Sequence, residues 1–325
     1  MERGQKKKLA TLVGCNYAGT PNELQGCIND VAAMRDALVA RFGFAPADVT
    51  VLTDDRGSPV LPTGANIKRA LADMVARAAP GDVLFFHYSG HGTLVPPVKG
   101  RRHGHGECDE AIVPCDFNLI TDVDFRRLVD RRRAHRPREG ADRPLRLAAG
   151  AAPAAAAAST TATRATAARF LPYAAVVEHL SGVSGVDAAH HVADHLLALF
   201  GADASAKFHR DAEQPVRTDD DGILLSGCQT DETSADVPGD DEVAAGGKAC
   251  GAFSNAIQTV LASHPAPVSN RQLVSMARAV LSDQGFEQHP CLYCSDGNAE
   301  TPFLWQEEDK KKTVTAAAEQ AMTAL

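Results

Sequence analysis

Asp82-Val-Leu-Phe-Phe-His87-Tyr-Ser-Gly-His-Gly92 decides the reading of this chain. Four residues of strand-forming type, Val83–Phe86, run without a polar interruption. Such a run describes a strand buried on both faces, which is the habit of parallel sheets covered by helices. It ends in His-Tyr-Ser-Gly-His-Gly, where two glycines permit a tight turn and a close approach of another chain. In open α/β sheets, sites form beyond the carboxyl ends of strands. An imidazole placed there can titrate near neutrality. His87 and His91 do not make a recognisable zinc site, because no nearby acid or cysteine completes a ligand set.

The same alternation extends outward. Leu9–Gly14 and Val49–Leu52 read as strands. Leu24, Ile28, Val31, Ala32, Leu38 and Val39 recur at helical spacing, and Gly43 stops that helix. Thr63 is placed to cap a helix with Ile67, Leu71, Met74 and Val75 on one face. Strand, helix, strand, helix, strand is the order of an α/β layer with a mostly parallel sheet. Residues 131–138 then read Arg-Arg-Arg-Ala-His-Arg-Pro-Arg, and 14 alanines fall between 141 and 170. Only a weak strand at Pro144–Leu147 interrupts this composition, which predicts a disordered segment or an alanine-rich helix. Beyond Phe170 the pattern returns. Short helices are predicted around 176–180 and 192–200, a strand at 222–227, helices over 252–261 and 269–281, and a closing strand at 290–294.

Composition limits the function. The chain has 325 residues, a formal net charge of −8 and 23% charged residues. This is ordinary for a soluble protein and argues against a general nucleic-acid binder, which needs a basic footprint. No apolar run reaches the length of a membrane span, and the basic N-terminus lacks the apolar stretch of a secretory signal. Eight scattered cysteines suit reduced thiols in the cytoplasm better than a disulfide framework.

Several segments together carry a family resemblance. They are Val13-Gly-Cys-Asn-Tyr17, Leu24-Gln-Gly-Cys-Ile-Asn-Asp30, His87–Gly92, Asp109-Glu-Ala-Ile-Val-Pro-Cys-Asp116 and Leu119–Phe125. Leu225–Asp236, Ser254–Gln258 and Gly285–Cys294 complete the set. The chain resembles a metacaspase of the type II, plant-type subfamily. The resemblance implies an α/β, caspase-like three-layer sandwich with a mostly parallel central sheet. One domain would be made of a p20-like part (1–130), the low-complexity segment (131–169) and a p10-like part (170–325). It also implies a calcium-dependent cysteine endopeptidase that cleaves protein substrates after Arg or Lys, acting as a monomer.

Carried over by position, His91 matches the catalytic histidine, the general base that holds a thiol as thiolate and protonates the leaving amine. Cys27, Asp30 and Ser89 match the lining of the pocket for the basic side chain, where a carboxylate provides charge-assisted hydrogen bonds. Asp109, Asp122 and Asp124 match the acids of the calcium site, with Val123 interrupting a run of three acids.

The resemblance breaks at the nucleophile. The family carries an Asp-Ser-Cys-His-Ser-Gly motif at the end of a fourth strand, but no cysteine occurs here between Cys115 and Cys228. The second pocket aspartate, a further calcium acid and the acidic activation linker are absent with it. Cys228 is a poor substitute, since the family's cysteine at that position is a strand residue. Three readings stay open: an inactive pseudo-peptidase that binds basic peptides or active relatives, a misassembled gene product whose catalytic motif lies in another frame or a skipped exon, and a truncated product that never folds stably. With the fourth strand replaced by Arg/Ala-rich sequence, two outcomes stand: some of residues 140–150, with Pro144–Leu147 the candidate, are recruited as a poor substitute strand, or the sheet opens there; the second is favoured because Arg143 and Arg146 flank that run, and the chain is expected to be marginal and silent in Arg-directed proteolysis.

Overall fold

The computed structural model describes residues 6–97, 108–134, 146–149, 166–209, 222–229 and 232–305. The strands are β1 (Lys8–Gly14), β2 (Val49–Thr53), β3 (Val83–Ser89), β4 (Gly92–Val95), β5 (Asp109–Ile112), β6 (Ile120–Thr121), β7 (Arg146–Ala149), β8 (Ala167–Ala168), β9 (Ile223–Ser226), β10 (Ala235–Val237), β11 (Cys250–Gly251) and β12 (Cys291–Tyr293). The helices are α1 (Cys27–Ala40), α2 (Gly64–Arg77), α3 (Asp122–Ala134), α4 (Tyr173–Ser184), α5 (Val192–Phe200), α6 (Ala252–Ser263), α7 (Asn270–Asp283) and α8 (Asp296–Ala299). Six strands form the central sheet in the order β12-β9-β7-β3-β1-β2, all parallel except β12. Two small antiparallel sheets, β11-β10-β8 and β4-β5-β6, accompany it.

The apolar runs of β1 and β3 are buried along almost their whole length because each face meets its own helical layer. Leu9, Val13, Leu84, Phe86 and Tyr88 pack with α2, α4 and α5. Ala10, Leu12, Val83 and Phe85 pack with α1, α6 and α7. Successive residues point to opposite faces, so one uninterrupted apolar strand serves two cores. The sandwich therefore has three layers. Local signals fix several boundaries. The Thr63 hydroxyl accepts the Asn66 N–H at the start of α2. Ser269 and Gln272 form a reciprocal capping box at the start of α7.

At the centre of the sheet the favoured expectation of an open gap is not met, and the alternative of a substitute strand recruited from 140–150 is what is found. Backbone of Arg146–Ala149 lies between β3 and β9 and pairs with both, with Phe85 opposite Arg146 and Leu147 opposite Leu224. The strand sits two residues beyond the weak Pro144–Leu147 pattern, within the segment read as low-complexity. A sheet ladder is made by main-chain groups, and two flanking strands offer a row of donors and acceptors whose burial unpaired is costly. Four extended residues satisfy that row whatever their side chains. The remainder of the expectation of disorder, over 135–145 and 150–165, lies outside the described residues. Among the described residues no helix is long and apolar enough to cross a membrane.

Candidate active site

The site lies beyond the carboxyl ends of β1 and β3. The turn after β1 is held by Asp54, whose carboxylate accepts the N–H groups of Asn16 (2.8 Å) and Tyr17 (2.7 Å). This sets Tyr17 in the left-handed region, with φ 51°. The Tyr17 hydroxyl then accepts the His91 N–H at 3.0 Å and donates to the Val113 carbonyl at 2.5 Å. Tyr88 donates to the His91 carbonyl at 2.9 Å. Gly90 has to be glycine, because a Cβ there would stand 2.5 Å from the Tyr88 hydroxyl oxygen. His91 is thus fixed at its backbone from both sides, and its ring packs on Tyr17 at 4.8 Å between centroids.

The His91 imidazole is 4% exposed, and burial lowers its pKa to about 4. Nε2 lies 2.8 Å from the Asn22 carbonyl, which requires that this nitrogen carry the proton. Nδ1 is buried with no hydrogen-bond partner among the described residues. A neutral ring with a free lone pair on Nδ1 is the form that accepts a proton from a thiol.

Cys27, Asp30 and Ser89 come together around a residue that the sequence reading did not select. The Arg169 side chain is 1% exposed. Its Nη1 donates to Asp30 Oδ2 at 2.8 Å and to Ser89 Oγ at 2.7 Å. Nη2 and Nε donate to Asp236 Oδ1 at 2.7 and 3.2 Å. Ser89 Oγ also donates to Asp30 at 2.7 Å, and the Gly251 N–H donates to the same carboxylate at 2.9 Å. Asp236 accepts the N–H groups of Gln25 and Gly26 as well. A second carboxylate, Asp236, therefore meets the guanidinium opposite Asp30. Gly251 leaves room for the guanidinium, since a Cβ there would collide with Nη1 of Arg169 and lie 2.8 Å from Asp30.

Burial pulls the Arg169 guanidinium down, but Cys27, Asp30 and Asp236 outweigh it and hold it well above the ordinary arginine value. Burial likewise pushes Asp30 up, while Arg169, Ser89 and Gly251 favour its charged form. The pair stays ionised, because arginine does not give up its proton in a protein. The Cys27 thiol beside them is pushed to about 12 by burial and is inert as a nucleophile.

The main chain at Arg169 is extended. β8 pairs antiparallel with β10, the Arg169 N–H donates to the Ser234 carbonyl at 2.9 Å, and the Arg169 carbonyl accepts the Gly92 N–H at 3.1 Å. The Leu171 N–H closes the run by donating to the Gly92 carbonyl at 2.9 Å. The segment is therefore extended, with its guanidinium between Asp30 and Asp236 and its carbonyl on the Gly92 N–H next to His91.

Other sequence-selected residues lie elsewhere. Cys228 is buried, its thiol donates to the Glu232 carbonyl at 3.6 Å, and burial raises its pKa to about 11. That environment suits a structural thiol. Asp109 lies on β5, and Asp122 and Asp124 open α3. Asp124 accepts the Thr121 and Ala206 N–H groups on its two oxygens. Asp122 faces Arg126 at 3.3 Å, and Asp109 is paired with Lys207. Asp122 Oδ1 is buried without a hydrogen-bond partner, but one oxygen is far from the six to eight that calcium takes. Among the described residues no group of three His, Cys, Asp or Glu side chains is arranged to hold a metal ion. As placed, these acids do not fit a calcium ion.

Comparison with known proteins agrees with the geometry. The caspase domain family matches residues 7–300. Metacaspase-9 of Arabidopsis thaliana is 49% identical over 330 residues, covering 93% of this chain and 98% of the relative. Metacaspase-6 of the same plant is 34% identical, covering 91% and 99%. A crystal structure of a protein from Geobacter sulfurreducens superposes with a TM-score of 0.61 at 18% identity, covering 91% of this chain and 97% of the other, a likeness of fold. The parallel sheet closed between helical layers, the buried histidine at a strand end and these matches lead to one conclusion: the chain belongs to the metacaspases, within the caspase-domain family of cysteine peptidases.

Proposed function

We propose that the pocket formed by Asp30, Asp236 and Ser89 is a specificity site for an Arg or Lys side chain on a protein substrate, and that this chain holds such a side chain without cutting after it. The observation that carries the reading is Arg169, whose guanidinium meets both carboxylates while its carbonyl accepts the Gly92 N–H. A planar guanidinium between two acids satisfies the fork geometry that distinguishes arginine. An N–H donor on the carbonyl would stabilise negative charge as a tetrahedral intermediate formed. His91, with Nδ1 free, would take the thiol proton and return it to the leaving amine.

The missing element is the thiol. No cysteine lies between Cys115 and Cys228, and Cys27 and Cys228 are both buried with raised pKa. Without a thiolate no acyl-enzyme forms. The chain then acts as a pseudo-peptidase whose pocket for a basic side chain is filled by its own Arg169. None of its eight cysteines is in a disulfide, which suits a reducing cytoplasm.

Fluorescent peptides ending in Arg or Glu, titrated against the full chain, test this. Arg169→Ala should bind the Arg peptide, while the unmodified chain and Arg169→Ala with Asp30→Asn should not. Equal uptake of both peptides by Arg169→Ala would refute the pocket. Cleavage of an Arg substrate by the unmodified chain, abolished by Cys228→Ala, would refute the inactive reading.

A further inference from the structure

The central sheet ends in β2, Val49-Thr-Val-Leu-Thr53, and among the described residues no strand pairs with its outer side. Edge strands are commonly blunted by charged side chains, proline or a bulge, because an open row of main-chain donors and acceptors invites another chain. β2 carries neither a charge nor a proline. The Asp54 N–H donates to the Gly14 carbonyl, so alternate residues before it, Leu52 and Thr50, turn their main-chain groups toward β1. Val51, in the middle of the strand, turns its N–H and C=O outward. A groove runs between β2 and α2, lined by Thr50, Leu52, Val60, Ala70 and Met74. Val60 is 44% exposed, and Leu61 after it 48%. The stripe of α2 beside the groove is Asn66, Arg69, Ala70, Asp73 and Arg77, spaced as one helix face.

This surface is complementary to itself. Arg77 pairs with Asp48 at the foot of β2. From there α2 runs back along the sheet at about 1.5 Å per residue, against about 3.3 Å per residue for β2. Position 71, midway between Arg69 and Asp73, therefore stands level with Val51. A twofold axis through Val51 pairs two β2 strands antiparallel, each Val51 N–H donating to the Val51 carbonyl of the other copy. The same rotation sets Arg69 of one copy opposite Asp73 of the other, twice. Because α2 packs over β1 rather than over the edge, the two α2 helices stand three strand spacings apart, about 14 Å between axes. Their facing Cα atoms are then about 10 Å apart, a gap that an arginine and an aspartate bridge together. Thr50, Leu52 and Val60 of both copies fill the groove beneath.

We propose that the β2 edge and the outer stripe of α2 are the surface on which this chain pairs with a second copy of itself, joining two six-stranded sheets into one. A homodimer then stands in place of the monomer that the family resemblance implies. The inference is independent of the pocket around Arg169.

Sedimentation velocity of the full chain from about 1 to 100 μM tests it. The unmodified chain should shift to twice its own mass as concentration rises. Asp73→Arg sets arginine against Arg69 of the other copy, and Arg69→Asp sets aspartate against Asp73. Each variant alone should need about tenfold higher concentration to pair. An equimolar mixture of the two should pair as the unmodified chain does, since every facing couple is again of opposite charge. Both positions are exposed, so thermal melts of the variants at low concentration should match the unmodified chain and separate a lost contact from a lost fold. A chain that stays at monomer mass throughout would overturn the proposal. So would a dimer that neither substitution weakens, or a mixture of folded variants that pairs no better than its components.

Discussion

Replacing Arg169 by alanine should be among the most damaging single changes in this protein, and in a manner that identifies its cause. The side chain makes four hydrogen bonds, two to Asp236 and one each to Asp30 and Ser89, all buried. Removing one partner of a buried ion pair costs about 3–5 kcal/mol, because the remaining charge has neither water nor counterion. Here two carboxylates are left facing a cavity. Against a net stability of roughly 5–15 kcal/mol this is a large fraction, and the melting temperature should fall by about 10 °C. The loss depends on pH with a definite sign. With Arg169 gone, Asp30 keeps the burial that raises its pKa and loses the cation that opposes it. A folded pKa above the unfolded one favours folding at low pH, and that benefit is lost as pH rises through the folded value. The deficit of Arg169→Ala should therefore be greatest near pH 7 and shrink toward pH 4. Methylguanidinium at a hundred times its dissociation constant should return about 2.7 kcal/mol to the variant, since it binds only the folded pocket. Arg169→Lys should fall between, as it keeps a charge but loses the planar fork. Thermal melts across pH, with and without methylguanidinium, provide the readout. If Arg169→Ala melts with the unmodified chain at pH 7, or methylguanidinium stabilises both alike, the account of Arg169 is wrong.

Two further outcomes are expected. Burial lowers the pKa of His91 to about 4 and of His87 to about 3, so unfolded chains bind protons below about 6.5 that the folded chain refuses; stability is full above that pH and should fall by about 3 kcal/mol through His91 alone as pH approaches 4, and urea titrations of His87→Leu should show a flatter acid limb than those of the unmodified chain. Gly251→Ala should displace the guanidinium from Asp30, because the added Cβ occupies the space of Nη1; a melting temperature lowered as in Arg169→Ala, and no further lowering in the double variant, is the expected result, whereas full additivity would separate the two sites.

What the sequence determined by itself was the part of the molecule written in local pattern. Apolar runs specified β1, β2 and β3 because a strand buried on both faces needs no polar alternation. Thr63 and Ser269 announced α2 and α7 because a capping hydroxyl satisfies N–H groups only three residues away. The motifs around His91, Asp30, Ser89 and Cys27 placed one half of the site at strand ends. The tertiary structure alone decided the rest. Arg146–Ala149 has little strand character of its own, yet it becomes a central strand because β3 and β9 present unpaired main-chain groups on either side. Arg169 reads as one arginine at the close of an alanine-rich stretch, and Asp236 as one acid in a turn-rich segment. Their meaning comes from ion pairs that span 139 residues to Asp30 and 67 residues to Asp236. Lys207 and Asp109 are likewise ordinary surface residue types until a docked turn brings them together. Hydrophobic periodicity and capping are short-range, so they leave a trace in neighbouring letters. Electrostatic pairing and ladder completion depend on which distant segments share a place, and no window of sequence contains both partners.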